Sequence, residues 1–192
     1  MDLITAISSL FSALGLSASA GLNAYVPMLI VALAAKFTPL VKLGPPYDAL
    51  TSWWAIGTLT VLLLIEFFAD KIPAVNHVND ILQTVVRPAA GAILFAASTS
   101  VVAEIHPAVA IVLGLIVAGG VHAVKAAVVR PAVTAATGGV ANPLVSLAED
   151  AIATFLSILA VVVPILIGAV VVLVTAWIVL RMWQRSNRAA GA

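Results

Sequence analysis

From Leu3 to Lys36 the chain is almost unbroken apolar text, the kind of run that identifies helix in lipid. A single helix over it would be about 50 Å long at 1.5 Å per residue, against a hydrocarbon core of about 30 Å. It must tilt strongly, project from the membrane, or break. The phrase SAGLNAYVP, residues 19–27, supplies a breaking point. Gly21 is flexible, Asn23 is polar, and Pro27 removes a donor and clashes with the carbonyl four residues back. The expectation is a half-helix near 3–20 and another near 25–36, with one long kinked helix as the alternative.

The apolar character continues along the chain. Hydrophobic residues make up 63% and charged residues 9%, where a soluble domain carries about 25% charged. At 192 residues the chain fits one domain. It reads as a single transmembrane helical domain over 1–180, followed by a basic cytoplasmic tail over 181–192. There are no cysteines, which excludes disulfides, thiolate metal sites and cysteine catalysis. The net charge of +1 carries no nucleic-acid signal, so no nucleic-acid partner is expected. The apolar start ends in SASA like a signal peptide, but Asp2 stands where a basic region belongs and the pattern runs on past Ala20. It is expected to remain in the mature protein.

Pro39 and Gly44-Pro45-Pro46 punctuate a loop over 36–51, and Trp53 and Trp54 then open a helix to about Ala69 at the lipid–water interface. From Glu66 to Pro88 the text turns polar, holding Glu66, Asp70, Lys71, His77, Asp80 and Arg87. A short surface helix over 74–84 is expected there. Pro88 suits the first turn of the next helix, which runs to about Ala103, and His106-Pro107 starts another that ends near Val129. These two form a tight helical hairpin at 88–129. Ala92, Ala96 and Ser100 on one member, and Ala110, Gly114 and Ala118 on the other, are small-residue stripes that permit close backbone approach. Such stripes also leave room for a homo-oligomer. The segment 131–150 is interrupted by Gly138-Gly139 and Asn142-Pro143, so a broken or re-entrant piece is expected, with a last helix from about Ala151 to Arg181.

The fold class that follows is an all-α integral membrane protein. It has about six membrane segments, two of them interrupted near 21–27 and 138–143. Lys71, Arg87, Lys125, Arg130 and the arginines at 181, 185 and 188 set one side as cytoplasmic. Both termini then lie in the cytoplasm of a cell with this protein in its inner (plasma) membrane. Five spans with an extracytoplasmic N-terminus is the alternative. Arg181, Arg185 and Arg188, with Trp177 and Trp183, suit anchoring at anionic lipid.

VVRPA occurs at 85–89 and again at 128–132, and the two interrupted segments echo one another. Taken with GLNAYVP, IEFFADKIPAVNHVND, RPAAGAI, VAGGVHAVKA, RPAVTA, TGGVANP and LAED, these phrases make residues 15 to 155 resemble the bacterial membrane proteins grouped as domain of unknown function 4126. The resemblance implies a membrane architecture. It implies no activity, and no catalytic residue carries over from it.

Candidate chemistry gathers at two places. Asn23 and Asn142 sit in the two breaks, where freed backbone groups can coordinate ions. His122 continues the Ala110/Gly114/Ala118 stripe and suits proton relay or a helix–helix hydrogen bond. Glu66 and Asp70 share a helix face. Either they line a passage with Asn23, Asn142 and His122, or they clasp Arg87 and Arg130 in cytoplasmic ion pairs. His77 and Asp80, with Asn76 and Asn79, match no defensible metal spacing, so no metal and no cofactor are expected. The absence of a phosphate loop, a metalloprotease motif and a nucleophile–base pair argues against an enzyme. The leading reading is a transporter or channel for a small solute or ion through a site between the two broken helices. The alternative is a non-catalytic membrane module binding lipid or a partner protein.

Overall fold

The computed structural model describes residues 3–69, 73–99 and 105–162, with scattered positions between 170 and 184. Side chains are described from residue 9 onward, and within 73–80 at Asn79 alone. Among the described residues the fold is helical, without strands. Helix α1 spans Leu3–Leu22 and α2 spans Tyr25–Phe37. A loop with a 3-10 turn over Tyr47–Thr51 leads to α3, Trp53–Ala69. Then come α4, Pro73–Thr99, and α5, Pro107–Val124. A wide π turn over Lys125–Val129 joins α5 to α6, Arg130–Thr137, and α7 covers Asn142–Val162. Among the described residues three stretches are long and apolar enough to cross a membrane: Ile81–Thr99, Pro107–Thr137 and Asn142–Val162.

The interruption near 21–27 is present and its cause is local. The Asn23 backbone N–H still bonds the Ser19 carbonyl at 3.1 Å, but its side-chain Oδ1 accepts from the backbone N–H of Tyr25 and of Val26, both at 3.0 Å. That cap starts a new helix where the old one stops, and Pro27 in its first turn needs no donor. The second interruption lies at 138–141. Gly138 and Gly139 take φ of 63° and 87°, the left-handed region that ends helices on glycine. Asn142-Pro143 then opens α7 with proline in the first turn.

Two boundaries differ from those expected. Pro88 does not begin a helix; it lies inside α4, which starts at Pro73. The polar stretch is therefore continuous with the span rather than a separate surface helix. Gln83, Arg87, Ala90 and Leu94 recur at helical spacing and are all buried, so one face of α4 is polar at its start and apolar at its end. The next helix begins at Asn142 rather than near Ala151, and residues 131–150 are broken as expected, ending one helix and starting the next. The π turn explains how α5 survives Pro131. The Arg130 N–H reaches back five residues to the Lys125 carbonyl, widening the helix just before the proline.

The core is a bundle in which α4 and α5 make the most extensive pairing and α1 packs on both. Small residues set the spacing, with Ala92, Ala96, Ala110 and Ala118 all buried. A Cβ built on Gly114 would land on the Gly91 carbonyl and one on Gly91 would land on the Ala118 side chain, so the α4–α5 crossing brings backbone against backbone. Serines tie α1 in. Ser17 Oγ donates to the Gly91 carbonyl at 2.8 Å, and Ser19 Oγ meets Ser157 Oγ at 2.7 Å.

Candidate functional site: a buried polar core

The same close bundle holds a set of ionisable side chains away from its surface. Arg87 on α4 is fully buried and its Nη2 donates to Glu66 Oε1 of α3 at 2.9 Å. Its Nη1 faces His122 Nδ1 of α5 at 3.3 Å, and His122 Nε2 faces Thr84 Oγ1 of α4 at 3.3 Å. Thr84 is exposed, so the sequence Thr84–His122–Arg87–Glu66 leads from the surface to a buried carboxylate. Gln83 Oε1 and Arg87 Nε are buried with no hydrogen-bond partner among the described residues.

Three residues beyond His122, the π turn points Lys125 inward. Its ammonium lies 2.6 Å from Glu149 Oε2 of α7 and donates to the Leu22 carbonyl at 3.1 Å. That carbonyl belongs to the frayed end of α1, where the break leaves acceptors without intrahelical donors. Arg130 reaches the same Glu149 oxygen at 3.6 Å. On the other side of the break, Asn23 Nδ2 donates to Asp150 Oδ1 at 2.9 Å. The break is thus held by α5 and α7 together, through one cation and one carboxylate.

The expected site residues separate into three groups. Glu66, Arg87 and His122 come together, and Asn23 lies at the adjoining break with Lys125 and Asp150. Arg130 is paired with Glu149. Asn142 stands apart, half-buried at the start of α7, with its Nδ2 donating to Thr134 Oγ1 at 3.1 Å. It is two turns from Asp150, about 12 Å along the helix. Asp70 lies outside the described residues, as do the side chains of His77 and Asp80. Of the C-terminal arginines, Arg181 stacks over Trp177 at 5.2 Å, while Arg185 and Arg188 lie outside the described residues.

Sequence reasoning missed Glu149 and Asp150 entirely. The signal was there: once Asn142-Pro143 is taken as a helix start, Ser146, Glu149, Ala153, Ser157 and Ala160 fall on one face, and all are buried. Lys125 was placed with the orientation signal, yet it is buried in an ion pair. Arg87 is too. Neither marks a cytoplasmic loop.

The family assigned to residues 10–185 has the description "Domain of unknown function (DUF4126)". The chain belongs to this family. No curated relative and no solved structure matches the chain. The family description carries no activity.

Proposed function

We propose that this DUF4126 protein carries a small solute or ion across the inner (plasma) membrane, through the buried core beside the α1–α2 break. It does so as a multi-pass protein with both termini cytoplasmic, in contact with the lipid bilayer, and without enzymatic activity. The observation that carries the reading is the placement of Glu66, Arg87, His122, Lys125, Glu149 and Asp150 on α3, α4, α5, the π turn and α7, with Lys125 and Asp150 meeting the two sides of the α1–α2 break. An ionisable group inside a membrane bundle is expensive and marks a pathway or a partner. Broken helices at such a place are how small transporters expose backbone groups to what they carry. In this reading Asn23, which meets Asp150, belongs to the passage and Asn142, which meets Thr134, does not.

The test is flux. Purified protein reconstituted in proteoliposomes is screened for movement of protons, monovalent cations and small anions against protein-free vesicles. Movement of at least one, lost in Arg87→Gln, supports the reading. Correctly folded protein that moves none overturns it.

The closeness of the ion pairs favours a second reading, a non-catalytic module that binds lipid or a partner protein and self-associates through its small-residue faces. There the pairs serve only to fix the bundle, and replacing Glu66 and Arg87 together by methionine leaves every property of the protein intact.

A further inference from the structure

Lys36, in the last turn of α2, reaches across to the first turn of α3. Its ammonium donates to the Thr51 carbonyl at 2.8 Å and lies 4.5 Å from the centre of the Trp53 ring. Phe37 meets the same ring edge-on at 6.0 Å, so Trp53 is held from two sides. An ammonium has three N–H donors, and one goes to Thr51. Among the described residues Lys36 has no carboxylate partner, and Asp48 in the adjoining 3-10 turn is not one.

Below Trp53, the face of α3 that looks away from the bundle carries a groove of about 590 Å³, lined by Trp53, Trp54, Gly57, Thr58, Val61 and Leu62. Gly57 opens it. Its neighbours one turn to either side, Trp53 and Val61, are both exposed, and a Cβ built on Gly57 would meet nothing within 4 Å. From Trp53 to Leu62 the groove follows the helix for about 14 Å at 1.5 Å per residue. That is close to one leaflet, half of a hydrocarbon core of about 30 Å. Thr58 adds a polar group part-way down. Its hydroxyl makes no hydrogen bond among the described residues, whereas Thr60 on the same helix donates to the carbonyl four residues back. In hydrocarbon a hydroxyl without an acceptor is costly.

We propose that this groove holds one anionic phospholipid. Its phosphate meets Lys36, an ester carbonyl accepts from the Thr58 hydroxyl, and an acyl chain lies over Gly57 against Val61 and Leu62. Cation, hydroxyl and apolar trough follow one another in the order in which such a lipid presents phosphate, ester and chain. The tryptophans stand at the headgroup level, where an apolar ring and a polar N–H are both accommodated. A zwitterionic lipid offers the same chain but brings a cation of its own beside Lys36, so the anionic lipid is preferred. From the functional reading the proposal takes only the bilayer setting. The groove is on the outward face of α3 and Glu66 is on its buried face, so lipid occupancy and transport are separable.

The experiment counts bound lipid. Full-length protein is placed in nanodiscs of equal parts phosphatidylglycerol and phosphatidylcholine with identical acyl chains, then released and weighed by native mass spectrometry. One phosphatidylglycerol per chain is expected to stay bound. Lys36→Gln keeps a donor for Thr51 and removes the charge, and it should lower the preference for the anionic lipid about fivefold, the worth of one basic residue beside an anionic membrane. Lys36→Arg should restore the preference, and Lys42→Gln, a change to an exposed loop cation, should leave it as it is. Gly57→Leu points into open space and should displace the lipid without disturbing the bundle.

Fluorescence places the lipid. The chain has four tryptophans, and replacing Trp177 and Trp183 by phenylalanine leaves Trp53 and Trp54. Phosphatidylglycerol with brominated chains should quench these two more than brominated phosphatidylcholine at the same mole fraction, and Lys36→Gln should make the two lipids equal. Equal retention of both lipids, anionic lipid kept in full by Gly57→Leu, or quenching indifferent to the headgroup overturns the proposal. So does a dimer that Gly57→Leu dissociates, which would give the groove to a second copy of the chain. Protein that never enters a bilayer overturns the membrane setting and the lipid site together; inserted protein that keeps no anionic lipid overturns the lipid site alone.

Discussion

Glu66 and Arg87 meet at 2.9 Å with side chains 2% and 0% exposed, which makes theirs a buried ion pair between α3 and α4. Taking one member away strands the other where water does not reach, at a cost of about 3–5 kcal/mol, whereas replacing both by apolar groups of similar size is near neutral or stabilising. Glu66→Met and Arg87→Met should each lower the thermal midpoint of purified protein by a large margin, and the double variant should recover most of it. A double variant as unstable as the worse single one would show that the pair itself, and not the stranded charge, sets the stability.

Asn23 makes two kinds of contact, and substitutions separate them. Its Oδ1 caps α2 through the N–H groups of Tyr25 and Val26, while its Nδ2 donates to Asp150. Serine keeps a capping oxygen and loses the donor. Aspartate keeps the cap but sets a carboxylate against Asp150. Neither change removes the N-cap, whose loss would cost about 1 kcal/mol; serine loses only the contact to Asp150, and aspartate replaces that contact with like charges in a partly buried place. The expected order of thermal stability is wild type, then Asn23→Ser, then Asn23→Asp. Asn23→Asp at least as stable as Asn23→Ser would mean that the Asp150 contact carries no charge discrimination.

The glycines divide by what a methyl group would meet. At Gly114 it would strike the backbone of Gly91 and Ala92; at Gly120 it would meet nothing within 4 Å. Overpacking a close crossing costs about 1–3 kcal/mol, while alanine in place of glycine in an open helix position gains up to about 1 kcal/mol. Gly114→Ala should therefore destabilise the protein and Gly120→Ala should not. Denaturation midpoints for the two, measured in one detergent, check the sign of each. Equal effects would remove the argument for a backbone-close α4–α5 crossing.

What could be read from the sequence was what has a local cause. The break at Asn23 was legible because glycine, asparagine and proline act within a few residues of themselves. So was the turn at 138–141, where only glycine accepts the left-handed backbone at low cost. The small-residue stripe ending at His122 was legible from its four-residue spacing, and it does pack inward. Pro88 misled because its local preference for a first turn is outweighed by the burial of Gln83 and Arg87 and by Arg87's contacts with Glu66 and His122, which hold the preceding turns in the bundle. Glu149 and Asp150 stayed hidden for the matching reason. Their meaning depends on Lys125 and Asn23, which are distant in sequence and brought near by a π turn and a break that composition does not encode.

Glu149 serves two cations, and this makes its pair with Lys125 lopsided. Lys125 Nζ stands at 2.6 Å and Arg130 Nη2 at 3.6 Å from the same Oε2. If Lys125 is replaced by methionine, Glu149 still has Arg130, and the loss is the Leu22 carbonyl contact together with part of the ion pair. If Glu149 is replaced by methionine, two cations lose their carboxylate at once, and the full cost of a broken buried pair, about 3–5 kcal/mol, is expected. Glu149→Met should therefore be the more damaging change. Adding Lys125→Met to it should raise stability, because a stranded ammonium is removed and only the more accessible Arg130 remains. The readout is the thermal midpoint of each variant in the same lipid nanodisc. If Lys125→Met proves as damaging as Glu149→Met, then Arg130 gives Glu149 no support and the three charges do not act as a unit.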